Sequence, residues 1–471
     1  MAVEGRTHRP VVDALVCGAC SICVRGCPAE LMPEMRTESD SLRGAVYQAR
    51  PPQAGPRGSR RADIPPCQAA CPLDQDVPGY VRLLSEGRIQ EALDRILEAN
   101  PLPAVCGHVC TRPCERACTR GSLDSPVPVR ALKEAAARIG RAPAPHSIPS
   151  QKSGVDVAVV GSGPAGLSAA RDLALQGLRV QVLELNDRPG GMLSWAIPAF
   201  RLPLEALEAD VARIQSLGVD IRTGIRFGND ITWEDLRREG IRALLLATGT
   251  MKGVRLGIPG EKSPGVHDAL AFLRLVSRDN GSPPGERVLV VGGGNAALDA
   301  ARTALRLGSK SVSIVYRRGR DEMPADPAEV REAEREGVSF RFLTAPMRVA
   351  MSEEGRMKGL TCVRIELRES GADRRPQPVP LPGTEHEIAA DALIMAVGQV
   401  PDPAPLIRGL SPEDQQRFRP DPVSLETSCK GVFSAGDFVH GSTTVVEAMA
   451  SGKRAAHAIT AYLHGLAAQE T

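Results

Sequence analysis

Val155-Asp-Val-Ala-Val-Val-Gly161-Ser-Gly163-Pro-Ala165-Gly166 is the stretch on which the fold turns. A run of buried-strand residues ends in a glycine-rich turn, and a helix opens at Gly166. Gly161 permits the tight turn, Gly163 lets the backbone approach a pyrophosphate, and Gly166 allows close packing of helix on strand. The first amides of the helix then face the phosphates. The next strand, Val180 to Glu184, ends in a carboxylate 23 residues after Gly161. A carboxylate there accepts hydrogen bonds from ribose hydroxyls. Strand, loop, helix and acid together predict a dinucleotide site on Gly161, Gly163, Ala165, Gly166 and Glu184.

The pattern recurs downstream. The strand Arg287 to Val291 runs into Gly292-Gly-Gly294-Asn295-Ala-Ala297, a helix follows over Leu298 to Leu307, and a strand over Val312 to Tyr316. Strands alternating with helices predict an α/β fold with parallel sheets, and two copies predict two Rossmann-like domains. The second copy ends in Arg317-Arg318 and has no acid at the ribose position. Arginines there suit a 2′-phosphate and favour NADP. As solvated loop charges they are compatible with NAD.

FAD is expected in the first site. Arg188-Pro-Gly-Gly191-Met192-Leu resembles the flavoprotein continuation after the ribose acid, and Gly431-Val-Phe-Ser-Ala-Gly436-Asp437 resembles the second flavin fingerprint. Thr443 to Ala448 starts a helix whose N-terminus would stabilise negative charge on a reduced flavin. Leu246 to Gly249 and Val397-Gly398 read as the two crossings into an inserted domain. The expected FAD-binding domain is therefore 151–252 plus 395–471, with a NAD(P)-binding domain at 253–394 inserted in it.

Composition limits the partners. The chain has 471 residues, about three domains' worth at about 150 residues each. A net charge of +2 and 3% aromatic content give no footprint for nucleic acid. No run approaches the roughly 18 apolar residues a spanning helix needs, so no membrane insertion is expected. Residues 1–10 lack an apolar core, so no secretory leader is expected, and the cytoplasm is the expected location.

The cysteines are crowded: ten of the 12 lie between Cys17 and Cys118. In the cytoplasm such clusters more often bind metal than form disulfides. Residues 1–62 read as a cysteine-bearing head and a Pro/Gly-rich linker, and 63–150 as a helical domain. The head carries Cys17-x2-Cys20-x2-Cys23-x3-Cys27-Pro28, the bacterial ferredoxin spacing for a [4Fe–4S] cluster, with zinc as the other metal reading. The helical segment carries Cys67-x3-Cys71-Pro, then Cys106-x3-Cys110-x3-Cys114-x3-Cys118. Cys362 and Cys429 stand alone and read as structural.

Cys71-Pro-Leu, Asn100-Pro-Leu-Pro and Val109-Cys-Thr-Arg-Pro-Cys-Glu-Arg-Ala-Cys118 resemble the N-terminal iron–sulfur domain of the glutamate synthase small subunit. The same module occurs in dihydropyrimidine dehydrogenase and in the large subunit of the NADH-dependent ferredoxin:NADP oxidoreductase. Gly190-Gly-Met-Leu-Ser-Trp-Ala-Ile-Pro-Ala-Phe-Arg201, Tyr316-Arg-Arg and Glu322-Met-Pro continue the resemblance, which spans residues 63 to 465. It implies one [4Fe–4S] cluster on Cys71, Cys110, Cys114 and Cys118, and it places Val109 and Arg201 near the flavin.

The family's other cluster is altered. Two of its cysteine positions are Ser59 and Ala62, and its Gln or Glu ligand aligns with Lys133. Cys67 alone remains of that set, and Cys106 lies outside it. A second cluster drawn from Cys17, Cys20, Cys23, Cys27 and Cys67 is the expectation, against a mobile head with its own cluster. The resemblance implies an electron-transfer subunit working between NAD(P)H, FAD and [4Fe–4S] and a partner catalytic oxidoreductase subunit or ferredoxin. A self-contained NAD(P)H:acceptor reductase and a redox-sensing scaffold subunit remain open. No side chain reads as a catalytic acid, base or nucleophile.

Overall fold

A computed structural model describes residues 64–141, 156–279, 281–369 and 376–470. The first of these stretches is helical: α1 Pro66–Ala69, α2 Val77–Ser85, α3 Ile89–Ala99, α4 Pro103–Val109, α5 Pro113–Arg116 and α6 Val129–Ile139. Asp76 caps α2 by accepting from the Gly79 amide at 3.0 Å. Tyr80, Ala92, Ile96, Val129 and Ala136 form the core of this unit, with Cys67 and Cys114 in the same cluster. Outward-facing pairs such as Arg88–Glu91 and Arg95–Glu98 leave the opposite helix faces to water.

The next unit is built on β1 Val157–Val160, the strand that leads into the first glycine loop, which is buried along its whole length. It pairs in parallel with β2 Val180–Leu183 and β4 Ala243–Leu246. β3 Asp220–Arg222 and the late-returning β16 Val432–Ser434 complete the order β16-β4-β1-β2-β3. A strand buried on both faces requires the continuous Val/Ala/Leu run seen here. Over the sheet lie α7 Pro164–Leu175 and, across from it, α13 Val445–Glu470. The two backbones touch at Gly452, where a Cβ would stand 2.0 Å from the Ala165 carbonyl oxygen.

Between β4 and β16 the chain leaves and returns through a two-stranded ribbon, β5 Lys252–Gly253 against β15 Gln399–Val400. The inserted unit has a second parallel sheet of β6 Val266–Asp268, β7 Arg287–Val291, β8 Ser311–Val315, β9 Ser339–Arg341 and β14 Ala392–Met395. Their order is β6-β14-β7-β8-β9. Helices α10 Ala269–Asp279, α11 Asn295–Arg306 and α12 Pro327–Arg335 cover it. An antiparallel sheet of β10 Thr344–Met351, β11 Met357–Arg368, β12 Gln377–Pro380 and β13 His386–Ala389 closes its other side. The expected α/β fold, with one Rossmann-like unit inserted in another behind a helical segment, is the fold observed.

Candidate cofactor cavity and cysteine site

Both glycine loops open on one cavity of about 1410 Å³. In the first loop Gly161 has φ +100°, and a Cβ on it would lie 2.6 Å from the Ala247 carbonyl oxygen. A Cβ on Gly166 would lie 1.9 Å from the Gly161 oxygen, whereas one on Gly163 would meet nothing within 4 Å. Gly161 and Gly166 are thus required by packing, and Gly163 keeps the cavity floor clear. Gly163 is also the N-cap of α7 and offers no side-chain cap, so the first amides of that helix are free for an anion.

Glu184 is buried at the end of β2. Its carboxylate accepts from Ser162 N at 3.0 Å and Oγ at 2.5 Å, and from Asn186 N at 2.8 Å and Nδ2 at 2.6 Å. Gly191, with φ +55°, stands against Gly163, its Cβ position 2.9 Å from Gly163 Cα, and Met192 follows on the cavity wall. Gly436, with φ +69°, turns the exit of β16 against Ala165. Asp437 then accepts from Thr443 N at 3.1 Å and Oγ1 at 2.5 Å. Burial lifts the Asp437 carboxyl above its ordinary range, with Thr443 pulling the other way.

The second loop repeats the geometry. A Cβ on Gly292 would lie 2.2 Å from the Ala396 oxygen, while Gly294 has open space and leaves the N-terminus of α11 without a side-chain cap. Asn295 lines the cavity and accepts from the Asp326 amide at 3.1 Å. Ala297 is fully buried beneath the loop. Arg317 and Arg318 both line the cavity, Arg317 exposed and Arg318 half-buried. Arg318 Nε donates to the Pro376 oxygen at 3.3 Å.

Arg201 also lines the cavity, yet its guanidinium is committed elsewhere: Nη1 lies 2.7 and 2.6 Å from the two Asp299 oxygens, and Nε lies 3.4 Å from Glu329. Val109 reaches the cavity from the cysteine segment, together with Thr111. Between them lies Cys110. Arg112, with φ +60°, bridges to Asp326 at the N-cap of α12 through two contacts of 2.6 Å. The helical unit is thereby fixed to the inserted one. Arg112, Asp326, Thr111, Ser162 and Asn186 were not read from the sequence. An Asp-Pro pair opening a helix, as at Asp326, was the available signal for one of them.

Among the cysteines, Cys110 and Cys114 are buried and Cys71 and Cys118 half-buried. Cys114 is pushed up to about 12 by burial, against the pull of Lys133, with Cys110 and Cys71 pushing further. These thiols therefore lie within electrostatic reach of one another. Cys118 N-caps the short helical turn after α5. Cys67 packs in the Tyr80–Cys114 cluster, and Cys106 Sγ lies 3.7 Å from Met449 Sδ. Among the described residues no three His, Cys, Asp or Glu side chains stand close enough for a single metal ion. A cubane sets each thiolate on a different iron and needs a wider ring. Cys17, Cys20, Cys23 and Cys27 lie outside the described residues. Cys362 and Cys429 are each buried in an apolar cluster. Among the described residues no helix is long and apolar enough to cross a membrane.

Two nucleotide loops on one cavity, with a cysteine-bearing helical unit reaching into it, define a flavin- and pyridine-nucleotide-dependent oxidoreductase with an iron–sulfur domain. The chain belongs to the pyridine nucleotide-disulphide oxidoreductase family, which matches residues 155–452, and its residues 56–143 match the dihydropyrimidine dehydrogenase domain II, 4Fe-4S cluster. It is 40% identical over 84% of its length to the NADP(+)-dependent formate dehydrogenase subunit beta of Moorella thermoacetica, and 36% identical over 84% to the NADPH-Fe(3+) oxidoreductase subunit beta of Geobacter sulfurreducens. It spans only 60% and 63% of the lengths of those two relatives. The glutamate synthase [NADPH] small chain of Halomonas elongata is 34% identical over 89% of this chain and 93% of its own length. In fold, Mycobacterium tuberculosis FprA in complex with NADPH is similar with a TM-score of 0.57 at 19% identity, covering 67% of this chain and 86% of that one. FAD, a nicotinamide dinucleotide and [4Fe–4S] are the cofactors of this chain.

Proposed function

We propose that this chain is the NADPH-linked electron-transfer subunit of a larger oxidoreductase, exchanging electrons with a partner catalytic subunit or a ferredoxin in the cytoplasm. The single observation that carries the reading is the shared cavity. Gly163, Gly294 and Val109, from three different units, line the same space. When bound, the flavin supplies the conversion between a two-electron hydride and single electrons, and the cluster supplies a one-electron relay.

The residues divide the work by chemistry. The α7 N-terminus with Gly161, Gly163, Ala165 and Gly166 holds the flavin pyrophosphate, Glu184 its ribose, and Asp437 with Thr443 its ribityl side, while Gly191, Met192 and Gly436 shape the wall. The α11 N-terminus with Gly292, Gly294, Asn295 and Ala297 holds the nicotinamide dinucleotide, and Arg317 and Arg318 pair with a 2′-phosphate. Cys71, Cys110, Cys114 and Cys118 ligate the cluster. Val109 is the neighbour of ligand Cys110 that faces the flavin side. The names of the relatives support a subunit role, since two of them are beta subunits and one a small chain.

The test is anaerobic titration of the full chain with NADPH and with NADH, followed by flavin absorbance and by the paramagnetic signal of the reduced cluster. The expected result is reduction of both centres by NADPH, with electrons then passed to added ferredoxin. A flavin that bleaches while every cluster stays oxidised would overturn the relay.

A further inference from the structure

Lys133 lies on α6 and is only 4% exposed. A buried ammonium is costly unless an opposite charge meets it. No ion pair or hydrogen bond joins Lys133 to a described carboxylate. Its electrostatic neighbours are the thiols of Cys106, Cys110, Cys71 and Cys114. Helix packing fixes this placement: Gly107 of α4 sits so close to α6 that a Cβ on it would lie 2.7 Å from Glu134 Cα, so the residue beside Glu134 is held against the cysteine segment.

A second buried group points the same way. Tyr80 is fully buried, and its hydroxyl has no hydrogen-bond partner among the described residues. Its electrostatic neighbours are Cys114, Cys71, Cys67 and Cys110. An orphaned hydroxyl and an ammonium without an ion pair among the described residues, from different helices, thus meet at the same cysteines. Both are hydrogen-bond donors, and polar groups left so in a core call for an acceptor.

We propose that Lys133 and Tyr80 are positioning residues for the iron–sulfur cluster, Lys133 as its buried counter-charge and Tyr80 as a donor to its sulfurs, and that together they raise its reduction potential. The inference rests on the reading of Cys71, Cys110, Cys114 and Cys118 as ligands. A four-thiolate cubane is anionic and carries one more negative charge when reduced. A nearby cation and donor therefore favour the reduced form, which is one of the ways proteins set cluster potentials. The position that supplies a ligand in the resembling family supplies a charge here.

Redox titration of the full chain, read by electron paramagnetic resonance, tests this. Cys110→Ser first identifies the signal: its loss assigns the cluster, and an unchanged set of signals would sink the ligand reading itself. With the signal assigned, Lys133→Met should make reduction of that cluster at least tenfold less favourable, about 59 mV lower for one electron. Lys133→Arg should keep the wild-type potential. An unchanged potential in Lys133→Met, or equal shifts in the Met and Arg variants, overturns the counter-charge role. Should Lys133→Met not assemble a cluster, Tyr80→Phe decides. A severalfold less favourable reduction supports the proposal, and an unchanged one refutes it.

Discussion

Replacing Arg201 by leucine should loosen the contact between the two nucleotide units in a way that depends on pH. Arg201 and Phe200 project from the first unit onto α11 and α12 of the second. The Arg201 and Asp299 side chains are 10% and 6% exposed. Around them Arg302 binds Glu329 and Glu336, and the guanidinium groups of Arg302 and Arg306 lie over the Phe200 ring. Burial already pushes Asp299 above the ordinary carboxylate range, although Arg201 pulls it down. Without Arg201 the carboxylate is left buried and uncompensated, a defect that typically costs about 3–5 kcal/mol. Asp299 can escape by taking a proton. At pH 7 that escape costs about 4 kcal/mol, from about 1.4 kcal/mol for each of roughly three pH units. The expected loss is therefore about 2–4 kcal/mol at pH 7. The folded-state pKa of Asp299 in the variant is raised, so its contribution is intact at low pH and is lost as pH rises. At pH 5.5 the loss should accordingly shrink by up to about 2 kcal/mol. Denaturant unfolding of the full chain at the two pH values, followed by flavin release and by circular dichroism, reads both numbers. Arg201→Leu combined with Asp299→Leu should return to within about 1 kcal/mol of wild type, because removing both members of a buried pair is often neutral. A loss that is the same at both pH values, or that the second substitution leaves unrepaired, would refute the argument.

Three further outcomes follow from the same geometry. Gly163→Ala should fold normally, since its Cβ meets no protein atom within 4 Å, yet lose at least tenfold in flavin affinity, about 1.4 kcal/mol. Gly166→Ala, with its Cβ 1.9 Å from the Gly161 oxygen, should give little folded protein, and flavin-to-protein ratios separate the two cases. Arg317→Ala with Arg318→Ala should raise the KM for NADPH and leave that for NADH unchanged, by roughly tenfold or more given about 1.5–3 kcal/mol per charged hydrogen bond. Asp210 is fully buried on α9 Leu204–Gln215, where it accepts from the Val105 amide at 2.9 Å, and burial raises its pKa to about 7. Its stabilising contribution is full below the ordinary carboxylate pKa and is lost as pH rises through about 7. The thermal midpoint of wild type should thus fall more steeply than that of Asp210→Asn between pH 5 and 7, and the two should run parallel above pH 8.

The sequence shows most of the fold because the decisive features are local. Gly161 is dictated by a turn with φ +100° and Gly166 by the Gly161 carbonyl just before it, so a short window of sequence carries both. The strand runs are continuous because both faces are covered, and that too is visible residue by residue. What the sequence hides depends on partners far along the chain. Arg201 was expected beside the flavin and does line the cavity, but its guanidinium faces Asp299, 98 residues on. No periodicity announces such a pair. Arg112 and Asp326, 214 residues apart, are hidden for the same reason.

Lys133 shows where the two kinds of information meet. From sequence it registers only as a lost ligand, a lysine at a position where the family places an oxygen donor. Burial changes its meaning. An exposed lysine there would contribute nothing, because solvent would screen it. A lysine 4% exposed, with thiols about it and no ion pair to a described carboxylate, keeps its proton only where negative charge balances it. Neutral thiols do not provide that charge, whereas thiolates bound to iron do. A Lys133 that keeps its charge is thus an argument for the cluster beside that of cysteine spacing. It makes a demand that spacing does not: Lys133→Met should alter the potential of a cluster whose four ligands are all intact.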